Sequence, residues 1–147
     1  MKKLAWFILI SAGIAACKTN DKSAGGPALT TEQKDSVMKD TANYTTLQWI
    51  DSTTKDLGTL KKDQVIEISY RFKNTGTKML VIQHVQPGCG CTVPKTPEQP
   101  FAPGEEGTIN ATFNGSGHGP ITKTITVTAN TIPKEHVLTF KGTLPEN

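Results

Sequence analysis

The strongest pattern along the chain is a period of two. In Val65-Ile66-Glu67-Ile68-Ser69-Tyr70-Arg71-Phe72 the residues Ile66, Ile68, Tyr70 and Phe72 share one face, while Glu67, Ser69 and Arg71 share the other. That alternation predicts a half-buried strand. Asn74-Thr75-Gly76 supplies turn chemistry after it. Met79 to Val85 is a second, more continuously apolar strand. Thr108 to Phe113 alternates again, as does Thr122 to Ala129, where Ile125 and Val127 face inward and Thr124, Thr126 and Thr128 outward. A last strand covers Val137 to Phe140 and is expected to end at Gly142. With Thr46 to Ile50 and a short piece around Leu57 to Leu60, the count reaches about seven strands, the pattern of an antiparallel sandwich. No apolar period of helical length interrupts them, so the expected class is all-β. Pro94, Pro97, Pro100, Pro103 and Gly104 stiffen the stretch from Pro94 to Gly107, which is expected to cross between the sheets.

Upstream of the strands the pattern is different. Lys2 and Lys3 precede an uncharged run from Leu4 to Ile14, the anatomy of a secretory signal and too short for a bilayer span of about 20 apolar residues. Ile14-Ala15-Ala16-Cys17 closes that run and resembles the bacterial lipobox, which makes 1–16 a lipoprotein signal peptide and Cys17 the lipid-bearing mature N-terminus. Lys18 follows, where a retention signal for the inner membrane would resemble Asp. The expected location is therefore the cell envelope, lipid-anchored, at the outer membrane of a Gram-negative bacterium. Residues 17–43 hold Gly25-Gly26-Pro27 and many Lys, Asp, Ser and Thr among few apolar side chains. They are expected to form a polar tether, with a short helix near 31 to 39 capped by Thr30 and Gln33. The folded domain then spans 44–143 and leaves 144–147 as a tail.

Composition narrows the function classes. The 147 residues carry 16 Lys or Arg and 13 Asp or Glu, and removal of Lys2 and Lys3 with the signal brings the charge close to balance. A nucleic-acid binder needs a clustered basic face, so none is expected.

Several fragments carry a resemblance. In order they are Leu57-Gly58-Thr59-Leu60, Phe72-Lys73-Asn74-Thr75-Gly76, Leu80-Val81-Ile82, Cys89-Gly90-Cys91-Thr92, Ala102-Pro103-Gly104-Glu105-Glu106-Gly107, and Ala129-Asn130 before Leu138-Thr139-Phe140-Lys141-Gly142. Over residues 44 to 143 this set resembles a family of domains of unknown function, DUF1573, marked by its Cys-Gly-Cys-Thr motif. The resemblance implies an immunoglobulin-like fold related to the ASH and HYDIN-type modules of ciliary and flagellar proteins, carried on exported bacterial proteins and lipoproteins, and implies no activity. Lys61-Lys62-Asp63 stands where that family usually has a glycine-containing turn.

Candidate chemistry centres on Pro87-Gly88-Cys89-Gly90-Cys91-Thr92. With Cys17 lipidated, two thiols remain in an oxidising compartment. Fully extended chain would separate their Cα atoms by about 6.6 to 7.2 Å, against about 4.4 to 6.8 Å for a disulfide, so a bridge requires a bend that Gly90 can supply. Four fates stay open: a structural disulfide, a redox-active one, a copper or zinc site with His84 as third ligand, and plain packing. Gly115-Ser116-Gly117-His118-Gly119-Pro120 fails as a phosphate loop because a strand follows it, and it is expected to be a hairpin loop, with His118 and His136 on the surface. No nucleophile, base and orienter can be nominated together, so no catalysis is expected. Asp35-Ser36-Val37, Asp40-Thr41-Ala42 and Asp51-Ser52-Thr53 resemble the acceptor tripeptide of a bacterial O-glycosylation system, which makes Ser36, Thr41 and Ser52 candidates. The function these features suggest is a lipid-anchored binding or scaffolding module with a protein or glycan partner. The competing class is a copper-binding or thiol-redox envelope protein.

Overall fold

The computed structural model describes residues 26–146. Residues 1–16 and Cys17 lie outside the described part. A helix α1 (Thr31–Lys39) and a short 3₁₀ turn (Thr41–Asn43) precede eight strands: β1 (Leu47–Trp49), β2 (Thr54–Thr59), β3 (Ile66–Asn74), β4 (Ile82–Pro87), β5 (Thr92–Lys95), β6 (Glu106–Phe113), β7 (Gly119–Ala129) and β8 (Glu135–Leu144). They build two four-stranded sheets, β1-β3-β6-β5 and β2-β8-β7-β4. All pairings are antiparallel except β2 with β8. This is an immunoglobulin-like β-sandwich.

The alternation of β3 becomes its burial. Ile68, Tyr70 and Phe72 are enclosed, and opposite them across the sandwich stand Ile125, Val127, Leu138 and Phe140, with Ile109 and Phe113 of β6 completing the centre. The aromatic rings meet edge to face or tilted, Phe72 with Phe101 at 4.9 Å, Phe72 with Trp49 at 5.8 Å and Phe113 with Phe140 at 5.5 Å, the geometry that the ring quadrupole favours. Tyr70, fully enclosed, spends its hydroxyl on the Thr139 carbonyl of the facing sheet at 2.7 Å. Burial pushes that phenol up to about 12, because the charged form would lose its solvation.

Five of the seven strand connections change sheets, and several expectations are corrected by that topology. The proline-rich stretch is not the crossover: its first residues, through Lys95, form β5, and both β5 and β6 belong to one sheet. Pro94 is tolerated because β5 is an edge strand. The crossover from β4 is instead the cysteine segment. Gly115 to Pro120 is likewise no hairpin loop, since β6 and β7 lie in different sheets. The second strand begins at Ile82 rather than Met79, with Leu80 only bridging Phe101. The last strand runs through Gly142 to Leu144, whose side chain is enclosed. Asp63 takes the left-handed backbone (φ 57°) in the turn between β2 and β3.

Two asparagines hold one end of the sandwich. Asn74 donates to the Lys78 and Phe101 carbonyls and accepts from the Thr45 hydroxyl and the Gly76 N–H. Asn130 donates to the carbonyls of Asn43 and Met79 and accepts from the Val81 N–H. Both are fully enclosed, and a buried amide so saturated carries no desolvation debt. Gly76 is required here: a Cβ would stand 2.7 Å from the Thr46 nitrogen and collide with the Thr45 hydroxyl.

The same end draws in the upstream segment. Thr30 and Gln33 form a reciprocal capping box on α1. The expected polar tether contains this helix, and the helix is docked: Met38 and most of Lys34 are buried, Lys34 Nζ donates to the Pro97 carbonyl at 2.7 Å, and Asp35 accepts from Gln83 of β4. The few apolar residues of that stretch lie on one side of a helix. A composition count does not see that arrangement.

Candidate functional site

The cysteine motif occupies the β4 to β5 crossover. β4 ends against β7, where the Gly88 N–H donates to the Thr124 carbonyl at 2.8 Å and a Cβ on Gly88 would reach within 2.5 Å of the Thr124 hydroxyl. Only glycine allows so close an approach. The chain then bends over Gly90, around which space is open, and Cys89 and Cys91 are joined by a disulfide with Cα atoms 5.4 Å apart. Both residues are half-buried. Cys91 packs against the core and its carbonyl accepts from the Asn114 N–H at 3.1 Å, tying this crossover to the β6 to β7 connection. Thr92, directly after, is buried with its hydroxyl 3.8 Å from the Cys89 sulfur.

Beside the bridge lies the outer face of the first sheet. Register sets Ser69, Asn110 and Lys95 in one row and Glu67, Thr112 and Val93 in the next. A shallow hollow of about 440 Å³ opens over them, lined by Glu67, Ser69, Lys95, Asn110 and Thr112 with backbone of Ile68 and Ala111 between. Val93, 66% exposed, stands in the second of these rows, and Val65, 64% exposed, precedes β3 two residues before Glu67. At the far edge Arg71 grips Asp51 through Nε and Nη2 at 3.0 and 2.8 Å, with Lys55 at 3.4 Å. The Arg71 hydrogen bonds hold the Asp51 carboxyl at about 2. The face can therefore offer hydrogen-bond donors and acceptors of both signs together with two exposed aliphatic contacts. Sequence reasoning named none of these residues as a site. The odd-numbered face of β3 was visible in the alternation, but without β5 the three-strand surface could not be assembled.

The remaining candidates are dispersed. His84 is exposed on β4 and lines a separate hollow with Thr30, Glu32, Gln83, Thr96 and Glu98. Among the described residues no three His, Cys, Asp or Glu side chains gather closely enough to hold one metal ion. His118 is exposed, whereas His136 is half-buried rather than on the surface, with its Nε2 2.8 Å from the Thr131 hydroxyl and its ring edge-on to Trp49. Burial lowers its pKa. Ser36, Thr41 and Ser52 are exposed. The Asp before each has structural work: Asp35 accepts from Gln83, Asp40 caps the 3₁₀ turn through the Ala42 N–H, and Asp51 holds Arg71.

Comparison with known proteins adds the following. The model of a family described as a protein of unknown function (DUF1573) matches residues 48–144, well over half of the chain. No curated protein matches it. Among solved structures, a protein of unknown function from Porphyromonas gingivalis W83 superposes with a TM-score of 0.61 at 16% identity, over 71% of this chain and 49% of that one. The present chain thus corresponds to about half of that relative. The ASH / PapD-like domain of human CEP192 (PapD-like domain 7) superposes with a TM-score of 0.56 at 12% identity, over 71% of this chain and 89% of that domain. At such identities the likeness is one of fold.

Proposed function

The chain belongs to the DUF1573 family, and from that premise we propose that it is a non-enzymatic binding module held at the bacterial cell envelope by a lipid on Cys17, displaying the outer face of β3, β6 and β5 to a protein or glycan partner. One observation carries the reading: the buried polar side chains Asn74, Asn130, Thr45 and Thr131 are engaged in hydrogen bonds that hold the fold together, while the polar side chains left for recognition line a shallow hollow on the outer face, with Val93 exposed on the same rows. Such a surface suits recognition better than bond-breaking, which requires a nucleophile, base and orienter in mutual reach. The Ile-Ala-Ala-Cys junction and the charged, short apolar run before it support the anchor.

The test is site-specific crosslinking in cells. A photoreactive residue at Val93 should give a discrete adduct that the same residue at Thr122, on the opposite sheet, does not. Equal labelling from both faces, or none from either, would refute this surface. In parallel, Cys17→Ser should release the protein from membranes.

A second reading, thiol redox or, once the bridge is reduced, copper handling, rests on the half-exposed disulfide between Cys89 and Cys91. Thiol titration with and without Cu(I) tests it. A bridge that stays closed under mild reductant retires it.

A further inference from the structure

A third hollow lies between α1 and the segment joining β3 to β4. Its volume is about 330 Å³ and its walls are Leu29, Val37, Met79, Val81 and Pro100, with Asn43 and Lys78 the only polar residues lining it. That is the lower end of the roughly 300–1,000 Å³ of ordinary ligand pockets. Met79 is 40% exposed and Leu29 and Val37 are half-buried, so apolar side chains are present and incompletely covered. Met79 is unbranched and adaptable, suited to an occupant without fixed shape.

The position of the chain entry identifies an occupant. Gly26 stands at the mouth of this hollow: a Cβ built on it lies 3.4 Å from Pro100 and 4.0 Å from Met79. Residues 18–25 are Lys-Thr-Asn-Asp-Lys-Ser-Ala-Gly, in which only Ala24 offers an apolar side chain, too small to fill the hollow. Cys17 is nine residues from Gly26, within a reach of about 30 Å at most. The nearest large apolar group along the chain is therefore whatever Cys17 carries.

We propose that this hollow seats part of an acyl chain borne by Cys17 of the same molecule. The proposal rests on the reading of Cys17 as lipid-bearing and adds to it a seat on the folded domain. The seated chain would be withdrawn from the bilayer or shielded when the protein is away from it, and the domain would lie with α1 toward the membrane.

The test feeds cells a fatty acid with a terminal diazirine, isolates the full chain and irradiates it. The expected adducts lie on the tryptic peptides spanning 35–39 and 79–95, which contain Val37 and Met79, and are lost in Val37→Trp and in Met79→Lys. The first substitution fills the hollow from the helix side and the second makes it polar, so that misfolding of one leaves the other to decide. If the protein takes up no label, lipidation of Cys17 is wrong and the seat falls with it. If label sits on the Cys17 peptide while adducts appear only on lipid or on other peptides, lipidation stands and the seat is overturned.

Discussion

The two ends of the sandwich solve one problem, how to turn strands from one sheet into the other, by different chemistry. At one end Asn74 and Asn130 bind backbone groups from three separate stretches of chain, both side chains fully enclosed and hydrogen-bonded. At the other, β4 leaves its sheet through Gly88 and a covalent bridge between two half-exposed cysteines. The physical standing of the two ends differs. Remove the asparagines and buried N–H and C=O groups lose their partners. Remove the bridge and the neighbouring backbone hydrogen bonds, Gly88 to Thr124 and Asn114 to Cys91, still close the crossover. The first set is explained by folding. The second is only partly so, and that is where a use beyond folding has room to act.

The largest effect should come from breaking the asparagine end. Asn130→Ala removes both amide donors and the acceptor for Val81, at about 1–3 kcal/mol for each buried group left without a partner, so a loss of about 3–5 kcal/mol is expected. Denaturant midpoints at constant m-value measure it. A loss below about 1 kcal/mol would mean that water reaches this end and that the two ends are not so different.

Tyr70→Phe calibrates the scale from the middle of the sandwich, equidistant in role from both. It removes one buried hydroxyl and its bond to Thr139, and should cost about 1–2 kcal/mol. Its alkaline behaviour follows from its raised pKa. The neutral form is favoured in the folded state, so this contribution is intact below the unfolded value of about 10 and is lost as pH rises through about 12. The Phe variant should lack that part of the alkaline transition in a pH titration of stability.

His136 sharpens the comparison by pH, with a smaller effect. Burial beside Trp49 and Thr131 depresses its folded pKa, so on acidification the unfolded chain binds its proton first. Its contribution is complete above the unfolded value near 6.5 and is lost as pH falls through the lower folded value. Asp51, held at about 2, stays ionised throughout that window. Amide exchange at Asn130 and Thr131 should quicken between about pH 7 and 5, while exchange at Cys91 and Asn114 should not. Equal quickening at both ends would show that the ends open as one unit.

The strands were legible where one face is buried and the other wet, because period two is then written directly into side-chain type, as in β3 and in Thr122 to Ala129. The capping box of α1 was legible for a similar local reason. What escaped was pairing. Nothing local says that Glu106–Phe113 and Gly119–Ala129 lie in different sheets, and Pro94 argues against a strand that an edge position permits. The docking of α1 escaped because Val37 and Met38 are too few to mark an amphipathic stripe until Leu29, Met79 and Pro100 stand beside them. For the site, the cysteines were conspicuous by type. The outer-face hollow is made of Ser, Asn, Thr, Lys and Glu, residues that signal nothing until three strands set them side by side.

The smallest expected effect is at the cysteine end, and it is the most informative. On the chain-entropy model a disulfide stabilises by restricting the unfolded chain in proportion to the logarithm of the loop it closes, and a three-residue ring gives about 1.5 kcal/mol at most, against about 3 kcal/mol for a loop of 15 residues. Cys91 also packs on the core, but serine keeps most of its volume at a half-buried position. Cys89→Ser with Cys91→Ser should therefore lower stability by about 0–1.5 kcal/mol, at most half of the loss at Asn130, and leave exchange at the asparagine end unchanged. A loss of about 3 kcal/mol or more would place the bridge among the structural disulfides of small exported domains, whose removal typically costs about 2–5 kcal/mol, and the contrast between the two ends would disappear. A small loss of stability accompanied by loss of the Val93 crosslink would locate the importance of the bridge in recognition: it fixes the backbone of Thr92 and Val93, and so the rim of the hollow, while contributing little to folding.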